Sequence, residues 1–568
     1  MSSPKPPVRV LVIGLDGATF TLLRPWLESR ELPCLSRLYH EGVHGTLESV
    51  IPPLSPEAWS TFMTGKHPGQ HGVMNFLSVR PGSYELEFNS GASVRAPTLW
   101  RLLGDRGLRV GVVGVPMTYP PERVNGYLVS GLETPGRHSQ FTYPPELAGE
   151  LRRALGGYDL HGDFLPHAKP EVYLDRLLEA VDNQARAVRY LFARYPADLS
   201  AVVIGATDRA QHCFWRFWDP SHPRHDPEAP AAVAQALKRV YERVDGAVEA
   251  IVHEVPDPKV VLVVSDHGFG SCHKFVHLNR WLEARGYLVT SSGSAAGFGL
   301  ARRMWQRACQ YMPQWLKDWL KSVLPGVRQQ VESFFLLSRM DWAKTRAFSL
   351  NSQHGYIYLH SRDRFPQGVV APEEREALAE AIEAELRELR DPETGEPVVK
   401  QVLRVDELYP GPARERLPDL IVLWREGYIA RTDSRETSTE AQRGEQVVPI
   451  AGVGDMERLI SLEQSGSHTA EGILIAHGEG VAGPGEIEGA RLVDLAPTML
   501  HLLGQAVPED MEGRVLTELL DPALLASRPV RYSARETEEE EGRARPHAYT
   551  PEEAEEVEKR LRDLGYLD

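Results

Sequence analysis

Cysteine and excess positive charge are both scarce in this sequence. Four of the 568 residues are cysteines, and no two of them form a C-x-x-C pair. This spacing gives neither a disulfide framework nor a thiolate zinc site. The formal net charge of −16 argues against a protein that binds nucleic acid by neutralising many phosphates, because that mode needs a clustered positive surface. Bound metal cations can still reverse the field locally and admit an anionic substrate.

Long apolar runs are also missing. No segment reaches the roughly 20 residues that span a membrane, and the opening MSSPKPP lacks the apolar stretch of a signal peptide. We therefore expect a cytoplasmic protein. With 42% hydrophobic and 25% charged residues, the chain has the composition of a globular protein with a substantial core.

Short apolar, β-branched runs alternate with helical patterns along the first half of the chain. The runs that predict buried strands are residues 8–15, 108–115, 199–205 and 260–265, and helical patterns between them include 98–107 and 231–252. This alternation predicts an α/β fold around a largely parallel sheet. In such sheets, ligands bind beyond the carboxyl ends of the strands.

Three of the predicted strands are followed by an aspartate, namely Asp16, Asp208 and Asp266. His212 follows Asp208 by four residues and would share its face of a helix, which suits a divalent metal ion. His267 adjoins Asp266. Each position also has a structural interpretation, since an aspartate after a strand is often a turn residue or orients a core histidine. Their recurrence at corresponding strand ends favours a common site.

Two further candidates lie outside these strand ends. Ser55 precedes a proline and the start of a predicted helix, so its hydroxyl is either an N-cap or a group placed where backbone N–H groups support a bound phosphate. His468 lies in a polar glycine turn just before the apolar run at residues 472–476, where a loop can supply a metal ligand.

The pattern changes to basic and Trp-rich helix between residues 291 and 338. A helical cap packed on the core is the preferred interpretation, and an amphipathic element that contacts a membrane surface is the alternative. Pro313 and Pro325 break the segment into short helices and weaken the membrane interpretation. The expected core has two parts, at residues 1–290 and 346–525. A helical insertion at residues 291–345 separates them, and residues 526–568 form a charged tail with a terminal helix.

Five motifs in order resemble the type I phosphodiesterase and nucleotide pyrophosphatase family of the alkaline phosphatase superfamily. They are LVIGLDG at residues 11–17, PPLSPEAWSTFMTGKHPGQHGV at 52–73, TDRAQH at 207–212, VSDHGFG at 264–270 and GSHTAEG at 466–472. VDLAPT at 493–498 and DMEGR at 510–514 extend the resemblance towards the end of the core. It implies an alkaline-phosphatase-like fold, with a large, mostly parallel sheet sandwiched between helices, and two divalent metal ions.

The resemblance also implies a role for each candidate. One metal ion would be held by Asp208, His212 and His468, and the other by Asp16, Asp266 and His267. Ser55 would bridge to the second ion as the nucleophile, at a position where family members commonly have threonine. Mixed imidazole and carboxylate ligands suit Zn²⁺ best, with Mn²⁺ as the second choice.

Three other residues are secondary candidates. Ser60 and Thr61 are fallback nucleophiles. Asn75 lies one position early for the asparagine that contacts a phosphate oxygen in the family's nucleotide pyrophosphatases.

Several alternatives to a phosphodiesterase remain open. A phosphomonoesterase or a cofactor-independent phosphomutase can also use a serine between two metal ions. Peripheral membrane contact through residues 291–338 would suit an enzyme that acts on lipid-linked phosphodiesters. An inactive binding protein is a further alternative, but the intact set of site residues argues against it. A sulfatase is disfavoured because the chain lacks the Cys-x-Pro-x-Arg sequence. The leaving group and the oligomeric state are not readable from the sequence.

Overall fold

The computed structural model describes residues 8–136, 138–156, 169–290, 340–350, 355–431, 446–449, 464–534 and 549–563. The basic, Trp-rich segment 291–338 lies outside these residues, as do residues 535–548 and 564–568 of the charged tail, so the cap and membrane-contact interpretations stay predictions. The described residues form two compact units. The first comprises those of Met1–Asn75, Asn89–His273 and Gly454–Ala548, and the second those of Phe76–Phe88, Lys274–Val453 and Tyr549–Asp568.

The strands within the described residues are numbered in chain order. They are β1 Arg9–Leu15, β2 Val43–Glu48, β3 Leu77–Val79, β4 Leu86–Phe88, β5 Val110–Val113, β6 Gly126–Val129, β7 Thr142–Tyr143, β8 Leu199–Ile204, β9 Lys259–Val264, β10 Gly268–His277, β11 Ala347–Phe348, β12 Tyr356–Leu359, β13 Val399–Arg404, β14 Leu420–Trp424, β15 Gly427–Arg431, β16 Val447–Pro449, β17 Gly466–Thr469, β18 Glu471–Gly478, β19 Gly485–Glu486, β20 Ala490–Arg491, β21 Val507–Pro508 and β22 Tyr532–Ser533.

The α-helices are numbered in the same way. They are α1 Phe20–Glu28, α2 Pro33–Glu41, α3 Ser55–Thr64, α4 Pro68–His71, α5 Leu99–Asp105, α6 Glu146–Leu155, α7 Pro170–Arg194, α8 Ala206–Trp218, α9 Ala231–Ala234, α10 Ala236–Glu254, α11 Leu278–Ala284, α12 Arg375–Arg387, α13 Val405–Leu408, α14 Leu495–Leu502, α15 Pro522–Ser527 and α16 Pro551–Asp563. The predicted helix at 231–252 is split at Gln235, whose N–H bonds the carbonyls of Ala231 and Val233 in a tightened turn. In the part of the chain that the structure describes, no helix combines the length and apolarity needed to cross a membrane.

A ten-stranded sheet forms the centre of the first unit, in the order β19-β2-β18-β9-β1-β8-β5-β6-β7 with β20 beside β2. The central strands β9, β1, β8, β5 and β6 are parallel, whereas β18 runs antiparallel between β9 and β2. Nearly every residue of β1, β8 and β9 is buried, as expected for strands covered on both faces. The four predicted strands and the mostly parallel sheet are confirmed.

Helices cover both faces of this sheet, and the alternation along β1 shows it directly. Leu11, Ile13 and Leu15 pack in a cluster with residues of α1, α2, α7, α8 and α10. Val10 and Val12 pack in another cluster, with residues of α3, α5 and α14. Because successive side chains of a strand point to opposite faces, the sheet is sandwiched between two helical layers.

The second unit contains a smaller sheet in the order β11-β12-β14-β13, with antiparallel pairs throughout. Asp419, just before β14, is buried and accepts hydrogen bonds from the Leu359 backbone N–H and from the guanidinium groups of Arg364, Arg375 and Arg414. The charged helix expected at residues 372–390 and the terminal helix expected from residue 551 are present as α12 and α16.

Candidate functional site

The register of the central strands brings three aspartates to one edge of the large sheet. Leu15 pairs with Ile204, and Gly14 pairs with Val264, so β1, β8 and β9 end side by side. Asp16 follows β1 directly, Asp208 lies in the first turn of α8 after β8, and Asp266 follows β9 by two residues. All three side chains are buried.

Asp16, Asp266 and His267 form the first ligand group, in which one ligand atom of each residue lies within 4.8 Å of the others. His267 Nε2 lies 3.3 Å from Asp266 Oδ2 and 3.7 Å from Asp16 Oδ1. The Trp59 indole N–H donates to Asp16 Oδ2 over 3.2 Å, and the Gly17 N–H donates to Asp266 Oδ1 over 3.2 Å. One oxygen of each carboxylate is thus held, and the other faces the imidazole.

Asp208, His212 and His468 form the second ligand group, with the same separation limit of 4.8 Å. Asp208 Oδ1 lies 3.4 Å from His212 Nε2 and 3.2 Å from His468 Nε2, and these two nitrogens are 3.0 Å apart. His468 therefore joins the pair on α8, but it lies on strand β17 and not in the glycine turn expected from the sequence, because residues 466–469 pair with β10. β17, which carries His468, reaches this position by pairing antiparallel with the start of β10.

Each of the three histidines turns its Nδ1 towards a backbone carbonyl. The acceptors are Gly268 O for His267, Gly466 O for His212 and Pro53 O for His468, at 3.1, 3.1 and 3.0 Å. A carbonyl can only accept, so Nδ1 carries the proton and Nε2 presents its lone pair to the ligand group. This arrangement is usual behind metal-ligating histidines.

Burial shapes the charges of the two groups. It raises the pKa of Asp16 well above its usual range, reinforced by the charges of Asp266 and Asp208, and it raises the pKa of Asp266 to about 7. Burial opposes ionisation of Asp208 as well, and only positive charge on the adjacent His212 and His468 would hold its pKa well below the usual value.

The histidine rings are affected in the opposite direction. Burial lowers the pKa of His267, and burial together with the nearby His267 lowers the pKa of His468 to about 3. Both rings are therefore neutral at pH 7, as metal ligation requires.

The donor set fits two divalent cations. Carboxylate oxygens and imidazole lone pairs converge in a buried place, and Asp16 Oδ1 accepts no hydrogen bond from the residues that the structure describes. Such an arrangement leaves like charges and lone pairs opposed unless a proton or a metal cation lies among them.

Ser55 is the first residue of α3, and its hydroxyl does not cap that helix. The N-cap position belongs to Leu54, which makes no side-chain capping bond, so the N-cap interpretation of Ser55 is wrong. Ser55 Oγ instead lies 3.3 Å from His267 Nε2, and the side chain is buried. Since His267 Nδ1 holds the ring proton, Nε2 can only accept from the hydroxyl, which also lies within hydrogen-bonding reach of Asp266. Ser55 is thereby placed beside the first ligand group, at the amino end of a helix.

The fallback nucleophiles have other surroundings. Thr61 Oγ1 lies 3.1 Å from His71 Nε2, and His71 Nδ1 accepts the Val73 backbone N–H over 3.2 Å. Ser60 is fully buried, and within the described residues its hydroxyl has no hydrogen-bond partner. Neither hydroxyl has a hydrogen bond to a ligand group among the contacts described.

Asn75 is buried and its main chain is tightly held. Its backbone N–H donates to Glu57 Oε2 over 3.0 Å, and its carbonyl accepts from Asn89 Nδ2 over 2.8 Å. Its φ of 67° lies in the left-handed region, which asparagine tolerates better than most residues. Glu57 is the third residue of α3, so the position of Asn75 is tied to the helix that begins with Ser55.

The residues that hold the ligands in place were not among the candidates predicted from the sequence. Trp59 contacts Asp16, and on α8 the side chains of Thr207 and Gln211 donate to backbone carbonyls of the turn after β1. The sequence did contain a signal for two of them. Thr207 and Gln211 are four residues apart, like Asp208 and His212, and each lies one position before a member of that predicted ligand pair.

One protein-family model matches most of the chain. The model of the family described as type I phosphodiesterase / nucleotide pyrophosphatase matches residues 10–447. Two curated relatives match locally, both named 2,3-bisphosphoglycerate-independent phosphoglycerate mutase. The protein from Cereibacter sphaeroides is 37% identical over 92 residues, which are 16% of this chain and 18% of that protein, and the one from Rhodopirellula baltica is 40% identical over 80 residues, 13% and 14% of the two chains. The chain thus spans less than a fifth of each curated relative.

Solved structures resemble the chain over nearly its full length. An inactive variant of murine ectonucleotide pyrophosphatase / phosphodiesterase 5 in complex with AMP has a TM-score of 0.50 at 13% identity, covering 90% of this chain and 100% of that one. Phosphonoacetate hydrolase from Sinorhizobium meliloti in complex with phosphonoformate has a TM-score of 0.50 at 16% identity, covering 88% and 96%. At this identity the likeness concerns the fold, and it confirms the expected alkaline-phosphatase-like architecture.

Proposed function

The chain belongs to the type I phosphodiesterase / nucleotide pyrophosphatase family, whose members hydrolyse phosphoric esters, and on this premise we propose that it cleaves phosphate diesters with Ser55 as nucleophile and two divalent metal ions as cofactors. The observation that carries the proposal is the position of Ser55 Oγ, 3.3 Å from His267 Nε2 at the amino end of α3. The first ligand group would hold the ion next to the nucleophile, and the second ligand group would hold the other. Zn²⁺ suits these donors best, with Mn²⁺ as the second choice.

The charge of the ligand set favours a diester over a monoester. Three carboxylates and three neutral imidazoles around two divalent cations leave one net positive charge while the Ser55 hydroxyl keeps its proton. A phosphate diester carries one negative charge and would neutralise it, whereas a monoester near neutral pH carries close to two. The amino end of α3 adds a helix dipole that favours a bound phosphoryl group.

Hydrolysis would proceed by two displacements at phosphorus. Ser55 Oγ attacks, an Oγ–P bond forms, and the P–O bond to the leaving alcohol breaks. Water then attacks the diester formed on Ser55, releases the phosphate monoester and restores the hydroxyl. Bound divalent ions supply Lewis-acid stabilisation of the phosphoryl and leaving oxygens and favour ionisation of the hydroxyl. Asp16, Asp266 and His267, whose Nδ1 is hydrogen-bonded to the Gly268 carbonyl, would orient the phosphoryl group for attack by Ser55 Oγ.

A phosphomutase or phosphomonoesterase is the second candidate. It is supported by the local match to two phosphoglycerate mutases. In that case the group on Ser55 is a phosphoryl group that passes to an acceptor hydroxyl or to water. The two candidates share the nucleophile and the ligands, and they differ in the ester that first reacts.

The intermediate on Ser55 offers a direct test. Rapid acid quench of the zinc-loaded protein during turnover of bis(p-nitrophenyl) phosphate, followed by peptide mass spectrometry, is expected to find a p-nitrophenyl phosphoryl group on the peptide that contains Ser55. The group should be absent from Ser55→Ala. Modification of Ser60 or Thr61 in place of Ser55 would contradict the assigned nucleophile, and a bare phosphoryl group formed from a monoester alone would favour the second candidate.

A further inference from the structure

Helix α8 carries two adjacent rows of polar side chains. Asp208 and His212 form one row and belong to the second ligand group. Thr207 and Gln211 form the other row, one position earlier, and both are fully buried. Residues four apart lie above one another on the same helix face, so the two rows run side by side. The chemistry proposed above does not use the second row.

This second row is hydrogen-bonded to the turn that follows β1. Thr207 Oγ1 donates to Asp16 O over 2.6 Å, and Gln211 Nε2 donates to Gly17 O over 2.8 Å. The Gly17 N–H in turn donates to Asp266 Oδ1 over 3.2 Å. Hydrogen bonds therefore link α8, which carries Asp208 and His212, to the backbone of Asp16 and Gly17, and through the Gly17 N–H to the carboxylate of Asp266.

The packing around Gln211 leaves these hydrogen bonds little freedom. Gly17 has a φ of +66°, and a Cβ on it would lie 3.0 Å from Phe269 Cδ2 and 3.3 Å from Gln211 Nε2. On the other side, a Cβ on Gly466 would lie 2.7 Å from the Gln211 carbonyl oxygen. Gln211 thus lies where the turn after β1, helix α8 and the strand that carries His468 meet.

We infer that Gln211 is a positioning residue that fixes the spacing between the two ligand groups. The inference rests on the proposed two-metal function, because the spacing matters only where two ions act on one phosphoryl group. In a fully buried place, water does not replace the lost donor when the amide is removed. Replacing residues that orient metal ligands without contacting the metal lowers metal affinity by about 10- to 100-fold, and we expect an effect of this size.

Gln211→Leu removes the donor at nearly the same size, and Gln184→Leu is its matched control. Gln184 is also a buried glutamine whose Nε2 donates to a backbone carbonyl, that of Val203, over 2.5 Å. Its bond does not reach the turn after β1. Thr207→Val and Thr207→Ser form a second pair, of which only the serine keeps the hydroxyl that donates to Asp16 O.

Stepwise Zn²⁺ affinities, measured by competition with a chelating dye, and the visible absorption of the Co²⁺-loaded protein are the readouts. We expect Gln211→Leu to bind one ion as the wild type does and the other at least tenfold more weakly, with a changed Co²⁺ spectrum. Gln184→Leu should bind both ions normally, even if its melting temperature falls equally. Thr207→Val should resemble Gln211→Leu, and Thr207→Ser should recover wild-type binding.

Two results would overturn the inference: wild-type affinities and spectrum in Gln211→Leu, or equal weakening in Gln184→Leu. No substrate enters the measurement, so it is separable from the proposed function. A wild-type protein that binds two ions but cleaves no phosphate ester would contradict the function, while the affinities would still decide the role of Gln211. Failure of the wild type to bind two ions would contradict both.

Discussion

Ser55 Oγ and His267 Nε2 lie 3.3 Å apart, although 212 positions separate the two residues in the chain. The serine begins helix α3 and the histidine follows strand β9, so the contact exists only when the sheet and its helical layer are assembled. It joins a nucleophile candidate to a ligand group at the edge of the sheet where ligands bind in such folds.

Replacing one ligand should remove one ion. His468→Ala is expected to lower the bound Zn²⁺ from two ions to one per chain, because Asp208 and His212 alone leave an incomplete group. Inductively coupled plasma mass spectrometry after dialysis measures the content. His477→Ala, on the neighbouring strand β18 and outside both groups, is the control and should keep two ions. Two ions in His468→Ala would show that the second ligand group is assigned wrongly.

Asn75→Gly tests whether the asparagine contacts the substrate. Glycine tolerates the φ of 67°, so this change removes the amide side chain without backbone strain. We expect kcat/KM for a diester to fall by about 100-fold or more, as for the loss of one transition-state donor, with unchanged metal content. Steady-state kinetics measures it. An unchanged kcat/KM would show that Asn75 does not contact the substrate and serves only to shape the turn.

Stability should depend on pH through His71. Burial lowers its pKa to about 3, and its Nδ1 must stay unprotonated to accept the Val73 N–H. A histidine whose folded pKa lies below the unfolded value of about 6.5 stabilises the fold fully above pH 6.5 and loses this contribution as the pH falls towards 3.

The measurement is the free energy of unfolding between pH 7.5 and 4.5 for wild type and His71→Gln. We expect a loss on the order of a few kcal/mol in the wild type across this window, with a shallower slope in the variant. Parallel pH profiles would refute the neutral, buried state of His71.

In the second unit, Asp419→Asn should be destabilising. Burial opposes ionisation of Asp419, but Arg364, Arg414 and Arg375 hold its pKa below the usual value. Removing the charge leaves partly buried guanidinium groups without their carboxylate, at a cost of about 3 kcal/mol or more. Chemical denaturation measures it, with the exposed Glu415→Gln as control. Equal stability of the two variants would contradict the role of this cluster.

Much of the site could be predicted because its ligands stand at strand ends and in ordered motifs. Asp16, Asp208 and Asp266 follow apolar runs whose alternation with helices already implied a parallel sheet. His212 came from its four-residue spacing. The structure brings these residues together as expected.

The supporting contacts could not be predicted, for a physical reason. The Nδ1 atoms of His212 and His468 bond the carbonyls of Gly466 and Pro53, and Gln211 bonds the carbonyl of Gly17. Every residue has a backbone carbonyl, so such partners leave no mark in the sequence and depend on tertiary packing. The capping role considered for Ser55 failed for a similar reason, since local sequence did not show that Leu54 occupies the cap position.

The central claim is tested most directly by comparing hydrolysis of bis(p-nitrophenyl) phosphate and p-nitrophenyl phosphate by the zinc-loaded protein, its EDTA-treated form, Ser55→Ala and Ser55→Thr. We predict a metal-dependent preference for the diester, loss of at least a thousandfold in Ser55→Ala, and retained activity in Ser55→Thr, because threonine keeps the nucleophilic hydroxyl. A preference for the monoester, or a Ser55→Ala variant as active as the wild type, would contradict the account.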